Sequence, residues 1–86
     1  MEIEQLRLFI AAAECRGFSP AARRLYTSHS TVSRSVSALE DELGVQLFIR
    51  EHKLLTLSPA GESLLEDAKA IVSMADKAAE KMQEYR

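Results

Sequence analysis

The chain of 86 residues contains one cysteine, Cys15, so no intrachain disulfide can staple it. That fits a reducing compartment, and the cytoplasm is the expected location. No apolar run reaches the roughly 18 residues a membrane span needs, so no membrane partner is expected. The opening Met1-Glu2-Ile3-Glu4-Gln5 lacks the basic stretch that begins a secretory signal peptide. The two histidines, His29 and His52, stand far apart with no further ligand at metal-site spacing, so no metal is expected. There is no nucleophile–base pair and no glycine-rich phosphate loop, hence neither an enzyme nor a cofactor is expected. Cys15, on the back of the first predicted helix, reads as a packed structural thiol.

A further absence is local. Between Glu14 and Glu40 there is no acidic residue, yet Arg16, Arg23, Arg24 and Arg34 fall in that interval. Arg50 and Lys53 follow, while the acids gather in Glu40-Asp41-Glu42 and the C-terminal third. The net charge of −2 argues against a polyanionic partner. A phosphate backbone responds to the local field, however, not to the total. Charge alone still admits an ordinary solvated surface, the less favoured of the two readings.

What is present is mostly helical pattern. Residues 3–16 place Leu6, Phe9, Ile10 and Ala13 on one face, with Gly17 as the stop. Ser19 and Pro20 form a cap-plus-proline start for a short helix, Pro20 to Tyr26. Small Ala21 and Ala22 permit close packing there, and Leu25 points inward. Ser28 is the cap candidate for a helix over 29–43 with one buried stripe, Val32, Val36, Leu39 and Leu43, ended by Gly44. Leu47-Phe48-Ile49-Arg50 and Leu54-Leu55-Thr56-Leu57 suit a hairpin, with Glu51-His52-Lys53 between them. Ser58-Pro59 starts a last helix of roughly 40 Å, at 1.5 Å per residue. Its apolar residues Leu64, Ala68, Ile71, Ala75, Ala78, Met82 and Tyr85 are spaced 4, 3, 4, 3, 4, 3. That is a heptad seam, and it predicts a dimerisation helix, with Leu65, Val72 and Ala79 widening one flank.

Two short helices, the second capped and carrying one apolar stripe, describe a helix-turn-helix. At 100° per residue, the face opposite Val32 holds Ser30, Ser33, Arg34, Ser37 and Asp41. Small hydroxyls let a helix approach a major groove closely, and Arg34 can give a guanine O6/N7 edge two hydrogen bonds. His29 stands at the helix start, where base edges are usually met. The competing reading is a small helical interaction module that dimerises through residues 64–85 and binds no DNA. Binding to duplex that weakens steeply with salt separates the two.

The chain also resembles a known family over its whole length. Leu6-Arg7-Leu8-Phe9, Gly17-Phe18-Ser19-Pro20-Ala21-Ala22, Ser28-His29-Ser30-Thr31-Val32-Ser33-Arg34 and the stretch from Leu39 to Phe48 match. So does Arg50 through Leu57-Ser58-Pro59-Ala60-Gly61. In order and at this spacing they resemble the N-terminal DNA-binding domain and linker helix of bacterial LysR-type transcriptional regulators. The resemblance implies a mainly α fold: a winged helix-turn-helix over 1–58 and a linker or dimerisation helix over 59–86. It implies DNA contacts from Ser28, His29, Ser30, Ser33 and Arg34, and from Arg50 and Lys53 in the wing, Lys53 toward a minor groove; Ser37 joins the expected contacts from its place on the open helix face. It implies a homodimer on a double-stranded operator with two half-sites, its helices antiparallel, and a higher oligomer in a full-length protein. The family usually has glutamine at the place of His29 and often glycine or asparagine at that of His52. A ligand-sensing domain normally follows the linker helix. The chain is either a fragment or a stand-alone dimeric binder; a fragment is expected, because the sequence stops on a helix with no capping residue, and a small-molecule inducer would act only through that further domain.

Overall fold

The computed structural model describes residues 1–51 and 53–86. His52, expected at the wing tip, lies outside the described residues. The elements are α1 (Ile3–Cys15), α2 (Phe18–Arg24), α3 (His29–Leu43), β1 (Phe48–Ile49), β2 (Thr56–Leu57), α4 (Pro59–Met82) and a 3-10 turn (Gln83–Tyr85). The mainly helical winged helix-turn-helix expected from the sequence is the fold observed.

Each helix start has a local cause. Glu2 and Gln5 form a reciprocal capping box at α1. The Ser28 hydroxyl accepts the Thr31 N–H at 3.1 Å and caps α3. Ser58 does the same for α4, accepting the Gly61 N–H at 3.0 Å. Its hydroxyl donates in turn to the Gln46 carbonyl at 2.6 Å. Gly44 closes α3 in the left-handed region, φ 72°.

The passage from α1 to α2 differs from expectation. Arg16, not Gly17, takes the left-handed position, φ 56°, and caps α1. Gly17 is extended and is the N-cap of α2, so Phe18 and Ser19 are already helical and Ser19 is not the cap. The reason for glycine is space: a Cβ there would stand 3.1 Å from the Pro20 ring. The short helix thus runs earlier than predicted and ends before Tyr26, which holds φ 55°.

The hairpin is also shorter than predicted. Phe48 pairs with Leu57 and Ile49 with Thr56, antiparallel. Leu55 donates its N–H to the Arg16 carbonyl instead of across the hairpin, and Ser58 donates to the Leu47 carbonyl. The wing is thereby sewn to the α1 terminus and to its own base. α4 gives way to a 3-10 turn at Gln83 instead of continuing to the last residues.

Leu6, Phe9, Val32, Val36, Leu39, Leu47, Phe48 and Ala68 make one fully covered core. Leu43 lies outside the expected stripe, 39% exposed in the last turn of α3. Gly61 lets α4 approach the wing base, since a Cβ there would collide with the Leu47 carbonyl oxygen. The first half of α4 packs on α1 through Leu64, Leu65, Ala68 and Val72. Beyond Val72 the helix leaves the core, and the molecule extends to 49 Å.

Candidate nucleic-acid interface

α2 and α3 pack together over the α1 scaffold, and the side of α3 away from Val32, Val36 and Leu39 is open. His29, Ser30 and Arg34 are exposed there, and Ser33 and Ser37 are half-buried. Ser30, Ser33, Arg34 and Ser37 lie on one face, as the helical spacing predicts, and His29 stands at the start of the helix. Ser28 is exposed too, but its oxygen is engaged by the Thr31 N–H and lies 2.8 Å from the Thr31 hydroxyl.

Arg34 folds back along its helix, and its Nε–H donates to the Ser30 carbonyl at 3.3 Å. The terminal Nη fork is left unbonded among the described residues. That fork is the part of a guanidinium that reads an O6/N7 edge. His29 sets its ring against the edge of Phe18, with centroids 5.7 Å apart and planes at 81°.

Lys53 lies across a groove from the start of α3. Arg16, Ser19, His29, Lys53 and Leu54 are among the residues lining it. The wing and the start of α3 therefore share one face. Ser37 and Arg50 line a second, polar groove with Glu40, Asp41 and Gln46.

Two of the basic residues are not free charges. Arg24 reaches back to Glu14 at 2.7 Å, and that bond raises its already high pKa. Glu14 also receives Lys69 of α4 at 3.7 Å. Arg24 thus belongs to the scaffold side, which the local charge count does not reveal. Arg50 donates from Nη2 to Glu40 at 2.8 Å. Arg16, Arg23, Arg34 and Lys53 make no ion pair among the described residues.

Three exposed residues near the start of α3 escape a reading of the sequence. Tyr26 is 97% exposed in the turn before α3, although helical periodicity assigns it to a helix end. Ser19, a cap by its sequence context, instead lines the groove with His29 and Lys53. Thr31 lies one residue short of the buried Val32 and stands exposed beside Ser28.

Residues 3–62 match the family described as bacterial regulatory helix-turn-helix protein, lysR family. The chain belongs to that family. The HTH-type transcriptional regulator TcbR of Pseudomonas sp. (strain P51) is 41% identical over 81 residues, covering 94% of this chain and 28% of the relative. ClcR of Pseudomonas putida is 45% identical over 76 residues, covering 88% of this chain and 26% of the relative. The chain thus spans just over a quarter of the length of these relatives. A crystal structure of the CbnR DBD–DNA complex superposes with a TM-score of 0.92 at 39% identity, covering 99% of this chain and 98% of that one. The fold of this LysR-family chain is therefore shared from end to end with a domain solved on DNA.

Proposed function

We propose that this chain binds double-stranded DNA sequence-specifically, as the DNA-binding part of a bacterial transcription regulator acting as a homodimer in the cytoplasm. The observation that carries the reading is the open face of α3: hydroxyls and one arginine opposite a wholly apolar inner face, with the wing lysine beside its N-terminus. Similarity to a domain crystallised with DNA supports it. The recognition helix enters the major groove. Arg34 and His29 meet base edges, and Ser30, Ser33 and Ser37 allow close approach. Ser28 meets phosphate, and Arg50 and Lys53 contact the backbone and minor groove from the wing.

Residues 1–58 then form the DNA-binding unit and 59–86 the linker helix. Ile71, Ala75, Ala78 and Met82 form the part of the seam that meets a second copy, whereas Leu64 and the fully covered Ala68, expected in that seam from the sequence, pack on the chain's own core. No catalysis is proposed. A small-molecule inducer would act through a sensing domain of a longer protein.

The test is selection of bound duplexes from a random pool, followed by titration of the winner at several salt concentrations. A two-half-site consensus and a steep fall in affinity with salt are expected. No binding to any duplex at low salt would leave the interaction module as the better reading.

A further inference from the structure

The arginine at the base of the wing is held from two sides. Arg50 Nη2 donates to Glu40 Oε1 at 2.8 Å. Its guanidinium carbon lies 5.5 Å from the centroid of the Phe18 ring. Glu40 belongs to α3, and its second oxygen accepts the Leu47 N–H at 2.8 Å. One carboxylate therefore joins the recognition helix, the entry to the wing and the wing arginine. Phe18 supplies the other wall, because its ring also meets His29 at 5.7 Å and Phe48 at 6.2 Å.

The pair is asymmetric in exposure. The Glu40 side chain is 11% exposed and that of Arg50 is 44% exposed. A guanidinium has five N–H donors in a planar fork, and only Nη2 is engaged among the described residues. The Phe18 ring and a single charge-assisted bond restrain the guanidinium from two sides while leaving most of its donors for another anion. We infer that Glu40 and Phe18 are positioning residues that aim the Arg50 guanidinium at a DNA phosphate beside the recognition helix. The inference rests on the DNA-binding reading above.

Positioning and simple charge predict opposite signs for Glu40→Gln. If Glu40 were only an anion near DNA, its removal would tighten binding and leave the salt dependence unchanged or steeper. If it holds Arg50, the variant loses a phosphate contact. The amide oxygen can still accept the Leu47 N–H, but no second acceptor remains for the guanidinium.

The probe is a random-sequence duplex titrated across salt, because a phosphate contact needs no particular base sequence. Glu40→Gln is expected to weaken binding about tenfold and to make the salt slope shallower by about one unit. In an Arg50→Ala background the same substitution should change neither quantity further. Tighter binding by Glu40→Gln overturns the inference, and so does a full additional loss in the Arg50→Ala background. Phe18→Leu provides a second route should Glu40→Gln fail to fold. It keeps apolar bulk but removes the ring face, and it should shift affinity and slope in the same directions. A folded Phe18→Leu with unchanged slope overturns the inference. Failure of the unaltered chain to bind duplex would instead strike the DNA-binding reading, and the inference with it.

Discussion

Arg34 is tethered and available at once. Its Nε–H is satisfied by the Ser30 carbonyl, which restricts the side chain before any ligand arrives, while the Nη fork stays open. Ordering a long side chain in advance lowers the entropy lost on binding. Arg34→Ala should therefore cost about 1–3 kcal/mol on the selected duplex and relax base preference at one position of each half-site. Thermal stability should hardly change, since the side chain covers none of the core. Binding titrations on the selected and scrambled duplexes check this, and equal losses on both would reduce Arg34 to a phosphate contact. Lys53 differs in kind. It sits across the groove from His29 with no ion pair among the described residues. Lys53→Ala should weaken all duplexes to a similar degree and make the salt slope shallower by about one unit. An unchanged slope in the same titrations would detach the wing tip from DNA.

The elements themselves are largely legible in the sequence, because their signals are local. Ser28, Gly44 and Ser58 act within a few residues of themselves, and all three cap where the pattern places them. Gly17 misleads because two roles compete for one glycine. Close approach to Pro20 claims it, and Arg16 adopts the positive φ instead. The open face of α3 is legible for the same local reason, since a stripe that is buried defines the side that is not. The pairing of Arg24 with Glu14 and of Arg50 with Glu40 is not, because each joins residues ten apart on different elements. The tie between α1 and α4 is of this non-local kind. Arg7 Nη2 donates to Asp76 at 2.7 Å, and that hydrogen bond, chiefly, holds the Asp76 carboxyl below its ordinary 3.8. A carboxylate with a lowered folded-state pKa stabilises the fold above its unfolded value, and loses that contribution as pH falls through the folded one. Asp76→Asn should thus lower the melting temperature slightly near neutral pH, and the difference should shrink below about pH 4. Thermal melts of the two proteins across this range check the sign. A gap that widens in acid would mean that Asp76 is not stabilised by Arg7.

At the scale of the whole molecule, the seam of α4 divides into a covered part and an exposed part. Periodicity shows that Leu64 to Tyr85 share a face, but it does not show which chain covers each residue. Leu64, Ala68 and Val72 pack on the chain's own core. Ile71 is 37% exposed and Met74 66%, and Ala78, Met82 and Tyr85 also face outward. At 100° per residue, Ile71, Met74, Ala78, Met82 and Tyr85 fall within one narrow sector, adjacent to the sector that is covered. This outer strip stays exposed although Val72 and Asp76 on the neighbouring face still touch the domain. Burying one isoleucine fully contributes about 1.5–3 kcal/mol, and a symmetric copy would bury the strip twice over. The two α3 helices would then be presented together, one to each half-site. Ile71→Asp tests this at the point where the strip begins. In a lone chain the introduced carboxylate would stand in water at little cost, so the fold should survive, as circular dichroism can verify. In a pair it would be desolvated without a partner, which is strongly unfavourable. Sedimentation should therefore show a monomer, and affinity for a two-half-site duplex should fall well below that of the unaltered chain. Binding to a single half-site should change little, because α3 and the wing are untouched. A variant that still sediments as a stable dimer would place the contact between copies elsewhere than on the outer strip of α4.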